Sequence, residues 1–177
     1  MKAADIIHLI EQNDLVEKTL TIERNVFLKV KGSIDTNIYF VEEGSLRIFV
    51  VDDYEERTIR FGYKDNIIVS LDSFLTEKPS DFYIQAIKKT KVKVIPKKGF
   101  MSFINQNEDN LRLRAKILED LILQQIEREK DILINSPKER FDRVLKRSPQ
   151  LFQEIPNKHI ANYLRMTPET LSRLKKR

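Results

Sequence analysis

The last 42 residues of the chain concentrate the side chains that can hydrogen-bond to bases and pair with phosphates. Residues 136–177 contain 11 Lys and Arg against 4 Asp and Glu, a net charge of +7. Residues 1–135 contain 21 Lys and Arg against 23 Asp and Glu, a net charge of −2. Such an asymmetry indicates a polyanionic partner for the basic segment. On charge alone, a solvated basic tail without a partner is the alternative. The pattern of residues within the segment must distinguish the two interpretations.

Two short helices are predicted within this basic segment. The first places Ile160, Ala161 and Leu164 on one inner face. The second begins with Thr167 as its N-cap and Pro168 at its first helical position. Two such helices about 3–4 residues apart, with a small residue where they cross, are typical of a helix-turn-helix. A plain helical hairpin is the alternative on spacing alone.

The second helix carries polar residues on every face except the narrow one formed by Leu171 and Leu174. Arg, Glu, Thr and Ser side chains near the start of such a helix can hydrogen-bond to base edges in the major groove. Flanking Lys and Arg residues pair with phosphates and set the register. The predicted contacts to duplex DNA are Lys158, Thr167, Glu169, Thr170, Ser172, Arg173, Lys175, Lys176 and Arg177.

Seven short segments between residues 26 and 96 have the composition of β-strands. They are rich in β-branched and aromatic residues, and turn residues such as Gly32, Gly44 and Pro79 separate them. Short strands at this spacing predict an antiparallel sandwich or barrel. A short amphipathic helix over residues 5–12 is predicted ahead of them.

One long helix is predicted after the strands, because no Gly or Pro interrupts the helical period from about residue 107 to residue 134. It carries two apolar stripes, which is more than packing on one sheet requires. Leu113, Ile117 and Leu121 can face the β domain, and the other stripe can face a second copy, which predicts a symmetric dimer. The predicted dimer contacts are Leu111, Ala115, Leu118, Ile122, Gln125 and Ile126, with Gln125 in a position to fix the register. A helix enclosed within a monomer is the alternative.

The composition excludes several function classes. The chain has no Cys, which excludes disulfides, thiolate metal sites and a Cys nucleophile. The strand region has no His, which argues against a metalloenzyme on a β-barrel. We therefore predict a protein that is not an enzyme and has no cofactor or metal. Acidic residues interrupt the N-terminal apolar positions, and no apolar run approaches the ~20 residues of a membrane span. These features predict a soluble, cytoplasmic protein with no membrane partner.

Three motifs resemble those of Crp/Fnr-type bacterial transcription regulators. Ile160–Arg173 resembles the helix-turn-helix of the subgroup whose recognition helix begins Thr-Pro-Glu-Thr-Leu-Ser-Arg. Ile38–Arg47 resembles the β-roll signature of that family, and Ser73–Ser80 and Gln85–Ala86 follow in the expected order. The resemblance covers nearly the whole chain.

The resemblance implies an α+β fold with three parts. They are a cyclic-nucleotide-binding-like β-roll over residues 1–106, a dimerisation helix over residues 107–135, and a winged-helix type of DNA-binding domain with the helix-turn-helix over residues 136–177. The order of elements predicted from the residues agrees with this arrangement.

The cyclic AMP pocket of the family is incomplete in this chain. Members that bind cyclic AMP use a Gly-Glu pair on the ribose and an Arg on the phosphate, and both are absent from residues 67–71 and 78–82. Asp81 adds negative charge near the phosphate position, and an unmatched buried phosphate is costly. We therefore expect an effector other than a cyclic nucleotide, or none. The residues that would line an effector pocket here are Val69, Ser70, Leu71, Lys78, Pro79, Ser80 and Asp81.

Three further departures concern DNA binding. Arg165 occupies a turn position where the family often has Gly, so a left-handed backbone there costs about 1 kcal/mol. Pro168 replaces an Arg of cyclic-AMP-type members, whereas Glu169 and Arg173 match the other two base-contacting positions. The chain ends at Arg177, before the hairpin wing of the family, which predicts weaker and less salt-sensitive binding.

Together these observations predict a homodimeric DNA-binding transcription regulator that reads DNA with residues 167–177. Its predicted partners are duplex DNA and a second copy of the chain, while RNA polymerase and a small-molecule effector stay open. The alternative is a small-molecule-sensing β-roll without sequence-specific DNA binding. The basic segment and the presence of Glu169 and Arg173 argue against that alternative.

Overall fold

A computed structural model describes residues 3–176, with side chains from Ile6 onwards. The helices within this range are α1 (Ala3–Gln12), α2 (Leu71–Thr76), α3 (Lys97–Ile104), α4 (Glu108–Leu133), α5 (Pro137–Arg147), α6 (Leu151–Glu154), α7 (Asn157–Tyr163) and α8 (Pro168–Lys175). The strands are β1 (Lys18–Ile22), β2 (Phe27–Lys29), β3 (Ile38–Glu43), β4 (Ser45–Asp52), β5 (Glu55–Tyr63), β6 (Ile67–Val69), β7 (Tyr83–Ala86) and β8 (Thr90–Ile95). The predicted α+β class is confirmed.

The strands form two antiparallel four-stranded sheets. One has the order β1-β8-β3-β6 and the other the order β2-β7-β4-β5. Val41, Leu46, Ile84 and Val92 are fully buried between the sheets, because inward and outward side chains alternate along each strand. This is the β-roll that the sequence predicted.

Two turns set the register of the roll. Gly44 links β3 to β4 with φ of +83°, and a Cβ there would lie 2.3 Å from the Lys89 carbonyl oxygen, so only glycine fits. Asp53 and Tyr54 link β4 to β5, and both have positive φ. That conformation matches the right-handed twist of a two-residue hairpin. Because β5 is last in the order β2-β7-β4-β5, it is an edge strand with one side free for contacts.

Three elements at the ends of the roll were not predicted. β1 has only Leu20 and Ile22 facing inward between charged flanks, so its pattern is short. α2 has six residues, and α3 contains Gly99 and begins immediately after Pro96. The sequences of these segments show no strong helix or strand pattern, so their secondary structure depends on packing against the roll.

The C-terminal helices share a core with the roll. Phe61 on β5 and Ile87 belong to the same buried cluster as Phe141, Ile160 and Leu171. The helix-turn-helix therefore packs directly on the edge of the second sheet. Its position depends on contacts with β5 as well as on its own core.

The long helix α4 begins at an Asn107 N-cap, whose side chain accepts from the Asn110 N–H at 2.9 Å. Leu113 and Ile117 pack against the roll, as predicted. On another side of the helix Leu111 is 45% exposed and Ile122 is 59% exposed. Within residues 3–176, no helix is both long enough and apolar enough to cross a membrane.

Candidate nucleic-acid interface

The predicted helix-turn-helix is formed by α7 and α8, which are joined by a tight turn. The N–H of Met166 donates to the Ala161 carbonyl at 3.0 Å, and the N–H of Arg165 donates to the Asn162 carbonyl at 3.1 Å. These two bonds form a Schellman ending, which places the residue at Arg165 in the left-handed region. The φ of Arg165 is 52°, so the conformation expected from the sequence is present. Its cost of about 1 kcal/mol is offset by the satisfied carbonyls.

Helix α8 turns its apolar face inward and its polar face outward. Thr167 caps it and accepts from the Thr170 N–H at 3.2 Å, and Leu171 is fully buried. Of the predicted DNA contacts, Lys158, Thr167, Glu169, Ser172, Arg173, Lys175 and Lys176 are exposed, and Thr170 is partly exposed. Arg177 lies outside the described residues. The structure thus brings these side chains to one region, and their contact with DNA stays a prediction.

Glu169 and Arg173 provide an acceptor and a donor one helical turn apart. The backbone N–H of Glu169 and the Thr167 hydroxyl hydrogen-bond to the Glu169 carboxylate and hold its pKa below its usual range, and nearby Arg173 adds to this effect. Glu169 is therefore ionised at neutral pH and accepts hydrogen bonds only. Lys175 is tied back to α7, because its ammonium donates to Asn157 Oδ1 at 2.9 Å.

Arg140 holds the turn of the helix-turn-helix in place. Its side chain is only 8% exposed, and it donates to the carbonyls of Leu164 at 2.9 Å and Arg165 at 3.1 Å. It also donates to the carbonyls of Ile134 and Asn135, which link α4 to α5. One guanidinium therefore joins the end of α4 to the start of the recognition helix. Sequence reasoning counted Arg140 only as part of the basic charge.

Part of the basic charge faces inward rather than towards a partner. Asp131 on α4 is fully buried and pairs with Arg143 at 3.2 Å and with Arg147 at 2.5 Å. Arg143 and Arg147 also pair with Glu127. These two arginines fasten α5 to α4. The net charge of +7 therefore overstates the charge available to DNA, because Arg140, Arg143 and Arg147 already have partners.

Asn162 docks α7 on the edge strand β5. Its Oδ1 accepts from the Thr58 N–H at 2.8 Å, and its Nδ2 donates to the Glu56 carbonyl at 2.7 Å. The next residue, Tyr163, packs its ring on Phe61 with centroids 5.3 Å apart. The side-chain amide thus completes the hydrogen bonding of an edge that would otherwise be open.

Replacing Asn162 with alanine is expected to loosen this docking by about 1–2 kcal/mol, because it removes two hydrogen bonds to the backbone. Hydrogen exchange of the Thr58 amide reports on it directly, and its protection should fall about 5- to 30-fold. Asn157→Ala is the matched control on the same helix, since Asn157 contacts Lys175 and not β5. Equal Thr58 protection in the two variants would contradict this account of the docking.

His159 lies on α7, near Arg47 and Glu56 of the roll, and sequence reasoning gave it no role. Burial, followed by the positive charge of Arg47, lowers the pKa of His159 to about 4. The imidazole is therefore neutral at pH 7 and adds no charge to the basic segment. Its neighbours come from distant parts of the chain, so no local pattern could reveal this.

The predicted effector-pocket residues do not form one group. Ser70 and Ser80 are buried together, with their hydroxyl oxygens 3.2 Å apart. Val69 and Leu71 are partly buried and line a separate groove beside α4. Lys78, Pro79 and Asp81 are exposed, and Asp81 pairs with Lys31 at 3.3 Å. Ligand binding at these positions stays a prediction.

An unpredicted lysine reaches the same segment. Lys29 on β2 is only 4% exposed, and its ammonium donates to the carbonyls of Phe82 at 2.8 Å and Ser80 at 3.5 Å. Burial lowers its pKa, while Asp72, Asp35 and Asp81 oppose that effect. The cation next to Ser80 is thus already satisfied by backbone oxygens.

The predicted dimer contacts on α4 are mostly open to solvent in the single chain. Leu111, Ala115, Ile122, Gln125 and Ile126 are exposed, and Leu118 is partly exposed. Together with Leu133, which is 79% exposed, they leave an apolar stripe uncovered along one side of the helix. Dimerisation through these residues stays a prediction.

The β-roll, the long helix and the helix-turn-helix recur together in solved structures. FixK2 from Bradyrhizobium japonicum has 13% identity and a TM-score of 0.75, with 90% of this chain and 82% of that chain covered. A mutant of CooA from Carboxydothermus hydrogenoformans has 14% identity and a TM-score of 0.72, with 94% and 77% covered. A Crp/Fnr-family transcriptional regulator from Eubacterium rectale has 17% identity and a TM-score of 0.65, with 94% and 81% covered.

These likenesses show that the chain has the fold of Crp/Fnr-type regulators, so the resemblance seen in the three motifs is confirmed at the level of the fold. The family described as the cyclic nucleotide-binding domain matches residues 19–107, half of the chain. The chain belongs to that family. No curated protein sequence matches the chain.

Proposed function

We propose that the chain is a homodimeric transcription regulator, not an enzyme, and that it binds duplex DNA through α8. The observation that carries the proposal is the exposure of Thr167, Glu169, Ser172 and Arg173 on a helix whose apolar face is buried. The N-terminal part of such a helix reaches base edges when it enters the major groove.

Glu169 and Arg173 are the residues suited to read bases. They lie four residues apart, so both project from the same side of α8. The Arg173 guanidinium can form two hydrogen bonds to the O6 and N7 atoms of guanine, and the Glu169 carboxylate can accept from the N4 amine of cytosine. Thr170 and Ser172 beside them add hydroxyl groups that can bond to either kind of base.

Phosphate contacts fall to the lysines around α8. Lys158, Lys175 and Lys176 are exposed, whereas Arg143 and Arg147 are paired with carboxylates of α4. A small number of free cations implies few released counterions and a shallow salt dependence. Sequence specificity then depends mainly on the base contacts of α8.

The domain roles follow the predicted boundaries, with residues 1–106 as the sensor, residues 107–135 as the dimerisation helix and residues 136–177 as the DNA-binding segment. The exposed stripe on α4 supports dimerisation, because a two-fold axis would bring the same apolar side chains of two copies together. A two-fold dimer presents two recognition helices, which fits half-sites about one helical turn apart.

An effector other than a cyclic nucleotide agrees best with the β6–β7 connection. Neither an Arg nor a Gly-Glu pair is present there, and the Lys29 ammonium is occupied by carbonyl oxygens. A cyclic phosphate entering next to Ser80 would meet a Lys29 ammonium that already has partners, while Lys78 of the predicted pocket is exposed to solvent. The phosphate charge would therefore be poorly matched, which is costly.

Selection of bound sites from a pool of random duplexes tests the proposal. The expected result is enrichment of a palindrome whose half-sites lie about one turn apart. No enrichment by the folded chain at physiological salt would contradict it and would favour a sensing β-roll without sequence-specific DNA binding.

A further inference from the structure

One lysine ammonium lies inside the β-roll, beside the β6–β7 connection (residues 70–82). Lys29 of β2 is only 4% exposed. Its ammonium donates to the carbonyls of Phe82 at 2.8 Å, Val30 at 3.2 Å and Ser80 at 3.5 Å. An ammonium has three N–H donors and no acceptor. Each donor of Lys29 therefore has a backbone oxygen of the chain as its partner, and none is left over for a ligand.

A register shift in β2 turns Lys29 inward. Strict alternation along the strand would place Lys29 on the same outer face as Phe27, which is 44% exposed. The pairing of β2 with β7 is irregular between these two residues, so that Lys29 lies opposite Ile84, which is fully buried. Opposite residues of an antiparallel pair share a face of the sheet. A bulge can re-aim a side chain in this way, and here it directs a cation towards the inside of the roll.

The polar groups of Ser80 are also paired within the chain. The Ser80 carbonyl accepts from the Gly32 N–H at 2.8 Å, and the Ser80 N–H donates to the Ser33 carbonyl at 3.2 Å. The Ser80 hydroxyl accepts from the Phe82 N–H at 3.1 Å and lies 3.2 Å from the hydroxyl oxygen of Ser70. Ser70 and Ser80 are the two buried residues of the predicted effector pocket. This part of the pocket is therefore closed by bonds among residues of the chain itself.

The groups that surround the Lys29 ammonium are carbonyl oxygens and carboxylates. Burial lowers the pKa of Lys29, and the nearby carboxylates of Asp72, Asp35 and Asp81 act in the opposite direction. A cation in this position is matched by both kinds of oxygen, whereas an anion would face the same oxygens without a donor. The surroundings therefore stabilise an ammonium and disfavour an anion next to Ser80.

We propose that Lys29 is an internal ligand of the β6–β7 connection: its ammonium fills the buried part of the predicted effector pocket and holds the connection on β2 without a bound anion. Residues 70–82 then keep the same closed arrangement in the presence and in the absence of anionic effectors, and DNA binding is independent of them. That regulatory consequence rests on the proposed function, whereas the closing contact itself does not.

Chemical rescue of Lys29→Ala in the full chain tests the proposal. The measurement is hydrogen exchange of the Gly32 and Ser80 amides, which join the β2–β3 loop to the connection. Loss of the ammonium should lower their protection at least about tenfold, because three carbonyls lose a donor. Propylammonium chloride has the carbon chain and the charge that the substitution removes, so it should restore most of the protection in a saturable way. The uncharged analogue 1-propanol should not.

Lys78→Ala is the matched control for Lys29→Ala. Lys78 lies in the same connection, but its side chain is exposed. Its replacement should change the protection of the two amides by less than about twofold. An equal loss of protection in the Lys78 and Lys29 variants would overturn the proposal.

Cyclic AMP and inorganic phosphate test for an anion in the unchanged chain. Neither should change the protection of the Gly32 and Ser80 amides by more than about twofold, because no donor of Lys29 is free to bind them. A saturable rise in protection with either compound would show that an anion closes the connection, and would overturn the proposal.

Three further results would also overturn it: full protection in Lys29→Ala, a loss that propylammonium does not reverse, or a loss that 1-propanol reverses equally well. If Lys29→Ala does not fold, Lys29→Met keeps the apolar stem and should lower the protection at least about tenfold. Full protection in that variant would contradict the proposal. Because these measurements contain no DNA, their failure would leave the DNA-binding proposal to be judged separately.

Discussion

Replacing Arg140 with methionine is expected to lower the free energy of unfolding by about 2–4 kcal/mol. The substitution keeps much of the apolar stem and removes a guanidinium that bonds to the carbonyls of Ile134, Asn135, Leu164 and Arg165. Each buried carbonyl left without a donor costs about 1–3 kcal/mol unless water reaches it. Urea unfolding followed by circular dichroism measures the change.

Lys146→Met is the control for Arg140→Met. Lys146 lies on the same helix and is exposed, so its replacement should alter stability by no more than about 0.5 kcal/mol. If the two variants unfold at the same urea concentration, Arg140 does not hold the turn as described. A loss confined to Arg140→Met would show that the recognition helix is positioned by a contact made far away in the chain.

The second large effect is expected at the apolar stripe of α4. Ile122→Glu should raise the dimer dissociation constant at least about 100-fold, because a two-fold interface would bury two carboxylates without partners. Sedimentation equilibrium measures this directly. The unchanged chain should sediment as a dimer, and the variant as a monomer at the same concentration.

Lys116→Glu tests whether the position, and not the added charge, matters. Lys116 is exposed on α4 and lies well away from the stripe around the helix. It should leave the dimer intact. A monomeric unchanged chain, or a dimer that tolerates Ile122→Glu, would contradict the proposed interface and would favour a helix that functions within a monomer.

The sequence predicted those helices and strands whose caps, turn residues and apolar spacing lie within the element itself. Helix α8 was predicted because Thr167 and Pro168 form a helix start and Leu171 and Leu174 form its inner face, and the structure shows each in that place. Seven of the strands were predicted for the same reason, from β-branched and aromatic segments separated by turn residues. β1, α2 and α3 were missed because each is short and depends on the roll that it packs against.

The contacts that position the candidate site have no local signature. Arg140 bonds to carbonyls 24 and 25 residues away, and Asn162 bonds to a strand more than 100 residues away. Sequence reasoning counted Arg140 only in the net charge of the basic segment, because an arginine on a charged helix is typical of a solvated face. Arg143 and Arg147 were counted in the same way, whereas both pair with carboxylates of α4.

The effector region could also be predicted only in part from the sequence. The absence of an Arg and a Gly-Glu pair could be read from the sequence, and it argues against a cyclic nucleotide. The hydrogen bond from the Lys29 ammonium to the Ser80 carbonyl could not be predicted from the sequence, because the two residues lie 51 positions apart in the chain.

The proposed function depends most directly on a contact of Arg173 with DNA. The measurement is the affinity of the chain for its selected palindromic duplex at physiological salt, compared between the unchanged chain, Arg173→Ala and Arg112→Ala. Arg112 is an exposed arginine on α4, paired with Glu108 and Asp109 far from α8. We predict that Arg173→Ala weakens specific binding by about 1–3 kcal/mol and that Arg112→Ala does not change it. Equal affinity of Arg173→Ala and the unchanged chain would contradict the assignment of α8 as the recognition helix.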